Sequence, residues 1–193
     1  MINRANFFAA IRATLFGGSL SKEEVANMEG ILDCALEAAL PVQQIAYVLA
    51  TTFHETAGTM RPLKEYGLGK GHDYGKMLDM GKGKGQRVPY TEPPHLFFGR
   101  GYVQLTWLSN YRGAGKKLGI DLVNHPDLAL NPATAAQILV RGMKEGWFTG
   151  KRLSEYFTTQ GADVLRARRI VNGNDKAELI AGYHAKFLFA LTC

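Results

Sequence analysis

Two glutamates, Glu55 and Glu65, stand ten residues apart in "FHETAGTMRPLKEYG", on either side of Gly58 and Pro62. Two carboxyl groups facing each other across a groove are the equipment for breaking a glycosidic bond. One stays protonated and gives its proton to the leaving oxygen; the other activates water or attacks directly. Glu55 falls in the last turn of an apolar helical pattern, where the negative end of the helix disfavours ionising a carboxyl group and partial burial acts in the same direction. Glu65 lies beyond a turn, and the residues between fix no distance. The same spacing therefore also fits a plainer reading, in which each glutamate is solvated or paired with a base such as Arg61 or Lys64. His54, taken by itself, reads as a hydrogen-bonded structural histidine.

Other chemistries lose support. "HETAG" lacks the second histidine of a helical zinc-protease motif, "GKGKG" has no Gly-Lys-Ser/Thr ending, and there is no Gly-x-Ser-x-Gly elbow. Cys34 and Cys193 match neither a disulfide framework nor a zinc spacing. No metal and no organic cofactor is expected. Lys plus Arg at 23 against Asp plus Glu at 17 gives a net charge of +6, which favours anionic partners: nucleic acid, cell-wall polymer or membrane surface. The basic residues are scattered, with Arg166, Arg168 and Arg169 near the end, and no recognition-helix or RNP-type motif accompanies them, so nucleic acid is not the expected partner. The apolar core "FFAAI" of the opening stretch is too short for a signal peptide and far too short to span a bilayer. That stretch reads as an amphipathic helix, and no stable membrane insertion is expected.

The elements that must position these residues are mostly helical. The chain of 193 residues has 46% hydrophobic and 21% charged residues, which fits one globular domain. "SKEEVANMEGILDCALEAAL" opens with a capping box, Ser21 with Glu24. Pro41 suits the first turn of the next helix, whose Val42, Ile45, Leu49 and Phe53 share a face until Gly58 offers a stop. From Gly67 to Gly99, both included, the chain has eight glycines and little periodicity, a long loop region with room for a short hairpin. Helical pattern returns at "QLTWLSNYRGAGKKLG", after the cap Asn131-Pro132, and in "ADVLRARRIVNG" and "DKAELIAGYHAKFLFAL". No strand run stands out elsewhere, so the fold class is mainly α.

Three separated stretches, "FHETAG", "FFGRGYVQLTWLSNY" and "RRIVNG", resemble in their order glycoside hydrolase family 19, the chitinase-like enzymes, and within it the phage and prophage endolysins. The resemblance runs from about Gln43 to Gly173. It implies Glu55 as general acid and Glu65 as the second carboxylate, a base activating water in an inverting reaction that needs the two groups roughly 6.5–9.5 Å apart. Thr106 matches the Ser or Thr that helps hold this water. Gln104 and Asn110 match polar groups of the sugar cleft, Tyr111 the aromatic beside it, and Asn172 an asparagine contacting the acetamido sugar; His54 and Arg169 resemble positions that orient the acid. Each has a plainer alternative: Gln104 and Thr106 as caps of the helix that begins there, Asn172-Gly173 as a helix C-terminus, Tyr102 and Trp107 as core. The short spacing to Glu65 is that of the endolysin branch rather than the plant enzymes, and it leaves Asp73, Asp79 and Glu92 in reserve for the base.

The expected molecule is a mainly α, lysozyme-like, two-lobed domain over residues 1–193, with the loop-rich insertion at about 67–101 and no separate wall-binding module. Its cleft lies between the "HET" helix and "GRGYVQLT". The expected activity is hydrolysis of β-1,4 bonds between N-acetylated amino sugars, with a glycan strand as partner. Peptidoglycan is preferred over chitin on compact size, basic charge and the lack of an export signal. The protein is expected to be a monomer made in the host cytoplasm and to reach the wall on release. A chitinase, a non-enzymatic wall-binding module and a membrane-disrupting protein are the alternatives.

Overall fold

The computed structural model describes residues 2–70, 74, 78–80, 87–89 and 97–193, with 78–80 and 87–89 described by their backbone. Asn3 caps α1 (Arg4–Thr14) by accepting from the Asn6 N–H at 3.1 Å, and Phe7, Phe8 and Ile11 carry its apolar side into the core, as an amphipathic helix should. Among the described residues no helix is long and apolar enough to cross a membrane. Helix α2 (Lys22–Glu37) starts on the expected capping box: Ser21 Oγ accepts from the Glu24 N–H at 3.2 Å, and Glu24 Oε2 accepts from the Ser21 N–H at 2.7 Å.

Helix α3 (Val42–Glu55) is the core's central rod. Pro41 is its N-cap, one position ahead of the first turn expected for it. Residues 44–52 are buried on every side, because α3 packs against α7 (Ala177–Thr192) and also meets α2 and α5 (Pro132–Glu145). Threonines inside this rod satisfy their hydroxyls locally: Thr52 Oγ1 donates to the Val48 carbonyl at 2.9 Å and Thr56 Oγ1 to the Thr52 carbonyl at 2.8 Å. Rings of α1, α3 and α7 interlock, with Phe53 4.8 Å from Tyr183 and 6.0 Å from Phe187. The helix ends in a Schellman motif. The Gly58 N–H reaches the Phe53 carbonyl (2.7 Å) and the Ala57 N–H the His54 carbonyl (3.1 Å), so Ala57, at φ 50°, takes the left-handed position usually held by glycine.

Strands are short. β1 (Leu63–Lys64) pairs antiparallel with β4 (Arg100–Gly101), Leu63 opposite Gly101 and Lys64 opposite Arg100. β2 (Leu78–Met80) and β3 (Arg87–Pro89) form a hairpin within the glycine-rich region. β5 (Phe157–Thr158) and β6 (Gly161–Ala162) form another, where no strand run stood out in the sequence. Helix α4 (Leu108–Leu118) follows the β4 turn, α5 begins on Asn131, whose Oδ1 accepts from the Ala133 and Thr134 N–H groups with Pro132 at the first position, and α6 (Leu153–Tyr156) is a single turn. Pro126–Leu130 and Arg166–Ile170 are 3₁₀ segments. The mainly α, lysozyme-like fold with small hairpins is the one expected.

Candidate active site

Glu55 closes α3 and meets Arg168. Nη1 of Arg168 donates to Glu55 Oε1 at 2.6 Å, with the arginine side chain 3% exposed and the glutamate 16%. Arg168 Nε donates to the Asp175 carbonyl at 3.1 Å, so the guanidinium is tied at both edges. Glu55 Oε2 receives no hydrogen bond among the described residues. This cation beside Glu55 is a neighbour that the helix end alone does not reveal. Tyr47, two turns earlier on α3, keeps a buried hydroxyl without a partner among the described residues; burial pushes it far above the usual phenol range, with the Arg168 charge working against that.

This is a correction by one residue. Arg169 was expected to orient Glu55, and the arginine that meets Glu55 is Arg168. In a 3₁₀ segment, side chains three apart eclipse. Arg166 and Arg169 therefore share an exposed side, while Ala167, Arg168 and Ile170 are buried. Arg169 instead donates from Nε to Asn174 Oδ1 at 3.1 Å. His54, expected to orient Glu55, is half-buried and its ring makes no hydrogen bond among the described residues; adjacent side chains on a helix point about 100° apart, which turns it away from Glu55. Burial holds this ring below the usual histidine range, with Glu55 pulling the other way.

Glu65 is set by the β1–β4 pairing. Its N–H donates to the Gly99 carbonyl (2.8 Å), and its Oε2 accepts from the Gly99 N–H (2.8 Å). Its Oε1 accepts from the Tyr74 hydroxyl at 2.6 Å. Burial and this bond push the Tyr74 phenol far above its usual range, which keeps it a donor. The Tyr74 ring stands edge-on to Trp107, 5.3 Å between centroids. Both carboxylate oxygens thus have a fixed donor, and each has a lone pair left for a water. The pairing itself is anchored by Asp127, which accepts from Lys64 Nζ and from Arg100 Nε, both at 2.7 Å.

Gln104, Thr106 and Asn110 come together around a hollow of about 70 Å³ whose far side is formed by Phe148 and Val171, so "GRGYVQLT" meets "RRIVNG" there. The helix-cap alternative is not what these residues do. α4 begins at Leu108 after Trp107, which has φ 71° and no side-chain cap bond, and Gln104 Nε2 donates instead to the Leu63 and Gly101 carbonyls, both at 3.2 Å. The approach of Gln104 requires a glycine at 99, where a Cβ would lie 2.6 Å from its Oε1.

Tyr111 is a second correction. Expected beside the sugar, it is 0% exposed: its hydroxyl donates to the Phe98 carbonyl at 2.7 Å and accepts from Arg100 Nη1 at 3.0 Å. The residue holds the β4 turn from inside, because α4 turns that face to the core. Asn172 is exposed, its Oδ1 accepting from the Gly173 N–H at 2.8 Å, and remains accessible to a ligand. Tyr102 is core, with a hydroxyl unpartnered among the described residues. Asp73 and Glu92 lie outside the described residues, and of Asp79 the backbone is described, opposite Val88. No group of three or more possible metal ligands occurs among the described residues.

Sequence reasoning missed Arg168, Tyr74 and the Gly99 N–H. The apolar pair Ala167 and Ile170, three apart within "RARRI", was the available signal that Arg166 and Arg169 share the outer side. Nothing local marks Tyr74 or Gly99, whose roles come from long-range pairing.

Comparison with known proteins places this geometry in a family. A basic endochitinase of Vitis vinifera is 35% identical over 95 residues, 47% of this chain and 30% of that protein. Endochitinase 2 of Gossypium hirsutum is 36% identical over 97 residues, 48% of this chain and 32% of that one. An endochitinase of Phaseolus vulgaris is 26% identical over 164 residues, 76% and 46% of the two chains. The chain thus spans about a third to a half of the curated relatives it matches. In overall fold it superposes on a bacterial family 19 chitinase with a TM-score of 0.65 at 24% identity, covering 98% of this chain and 94% of the other. For chitinase C from Streptomyces griseus HUT6037 the TM-score is 0.57 at 23% identity, covering 97% and 68%. The glycoside hydrolase family 19 model, described as class I chitinase, matches residues 30–150, well over half of the sequence, and the chain belongs to that family.

Proposed function

We propose that the protein hydrolyses β-1,4 bonds between N-acetylated amino sugars with inversion, and that its polymer is bacterial peptidoglycan, which makes it an endolysin acting on the wall after release. The observation that carries this reading is the mutual fastening of the three motif regions: Glu55 to Arg168, Glu65 to Gly99, and Gln104, Thr106 and Asn110 to the edge of "RRIVNG". Glu55, through the unengaged Oε2, gives its proton to the glycosidic oxygen as the C1–O bond breaks. The buried guanidinium then stabilises the carboxylate left behind. Water, held with help from Thr106, forms the new bond to C1 from the opposite face, and Glu65 takes its proton. Gln104, Asn110 and Asn172 contact the sugars. Tyr111 acts by positioning the turn that carries them.

The net charge of +6 supports an anionic wall polymer, whereas the names of the curated relatives favour chitin. Parallel digestion of purified sacculi and chitin oligomers, with mass spectrometry of the new ends, decides between them. Glu55→Gln is expected to lower turnover by about 10²–10⁴, and NMR of fresh products is expected to show the α anomer first. Near wild-type turnover in Glu55→Gln would remove it as the acid, and a fully active Glu65→Gln would send the base assignment elsewhere.

A further inference from the structure

Between the 3₁₀ segment Arg166–Ile170 and the start of α7 lies a cavity of about 550 Å³, within the range of small-ligand sites. Arg166, Arg169, Lys176, Asn174, Glu178 and the exposed Leu165 line it. Three cations face one acid there. Their charges are incompletely matched: Arg169 is held by the neutral Asn174, Arg166 stands 3.6 Å from Asp163, and Lys176 has no ion-pair partner among the described residues. The segment that supplies Arg166 and Arg169 to the cavity also carries Arg168, which binds both Glu55 and the Asp175 carbonyl. Asp175 and Lys176 act on the His54 ring, after its burial and the larger influences of Glu55 and Arg168, which puts the cavity's edge within electrostatic reach of the residue beside Glu55.

We propose that this cavity is a subsite for the carboxylate-bearing peptide stem of a peptidoglycan strand, so that Arg166, Arg169 and Lys176 select stem-bearing glycan over uncharged glycan. This rests on the reading of the protein as a peptidoglycan hydrolase. A chitin strand carries no charge and gains nothing from three clustered cations. A muramic acid residue bound near Glu55 presents a side branch of alanines and diacids a few ångströms from its ring. Guanidinium groups grip carboxylates in pairs of parallel hydrogen bonds, and Leu165 and Leu179, both about half exposed, offer contact for alanine methyls.

The test uses the full chain, wild type and Arg166→Ala/Lys176→Ala, both positions being exposed. The first measurement is binding of a soluble muramyl tripeptide by NMR titration, which needs no turnover. Wild type is expected to bind with shifts in residues 165–179, and the double variant to bind about tenfold more weakly. No binding by wild type, or equal binding by the variant, overturns the proposal. The second is the ratio of kcat/KM on stem-bearing strands to that on chitin oligomers, expected to fall about tenfold in the variant; an unchanged ratio overturns the proposal. If wild type releases no reducing ends from either polymer, the hydrolase reading fails while the titration still decides the cavity.

Discussion

Replacing Arg168 by methionine removes the guanidinium that faces Glu55 while keeping a long stem in the same slot. Two hydrogen bonds disappear, one to Glu55 Oε1 at 2.6 Å and one to the Asp175 carbonyl at 3.1 Å. Breaking a buried pair from one side costs about 3–5 kcal/mol, because the remaining charge is left without its partner. Glu55 keeps 16% of its exposure, so water can reach part of it and the low end applies. For a domain of this size each kcal/mol moves Tm by roughly 2–4 °C, so about 3 kcal/mol lowers it by roughly 6–12 °C. Arg169→Met, on the exposed side of the same segment, is expected to stay within about 0.5 kcal/mol of wild type. Glu55→Gln/Arg168→Met should lose less than the two single variants together, with a coupling of about 2 kcal/mol, since no unpaired buried charge remains. Calorimetry of the four proteins measures all of this. An Arg168→Met melting point within about 2 °C of wild type, with a fall in Arg169→Met instead, would refute the reasoning and return the role to Arg169.

Tyr74→Phe removes the donor to Glu65 Oε1; a hydrogen bond to a charged group contributes about 1.5–3 kcal/mol, so the melting point should fall by roughly 3–12 °C, and kcat should fall with it because Glu65 loses one of its two fixed donors, measured by calorimetry and sugar release. Gly101→Ala meets both φ 83° and a Cβ only 2.8 Å from the Ala129 carbonyl, and should cost about 2 kcal/mol or more in urea unfolding, with activity falling because β4 no longer fixes Gly99. The Lys64 hydrogen bond, against burial and with help from Arg100, holds Asp127 below its ordinary value of 3.8. Its contribution to stability is whole above that value and is lost as pH falls through the lower folded one. Melting curves of Asp127→Asn should therefore show a shallower acid limb than wild type, and an identical limb would argue against the assignment.

Elements made by local rules were legible in the chain. Ser21 with Glu24 and Asn131 with Pro132 start α2 and α5 where their residue types require. Glu55 falls in the last turn of α3, as its apolar face indicated, though the left-handed backbone begins at Ala57 (φ 50°), one residue before Gly58 (φ 81°). What depended on pairing across long sequence separations was not legible. Gln104 and Trp107 sit at positive φ and delay α4 to Leu108, a start that periodicity cannot locate because Trp107 carries no capping side chain. Tyr111 and Arg168 were each misjudged by the direction their element faces, which becomes visible when the neighbours are in place.

The clasp between Glu65 and Gly99 joins residues 34 positions apart. Its anchors, Asp127 with Lys64 and Arg100, belong to the scaffold on either side of the stretch it closes. Apart from Tyr74, which holds Glu65 Oε1, the sequence between the two ends can therefore be lengthened, shortened or recharged without moving Glu65. Such a clasp separates the part free to diversify from the part that must stay still.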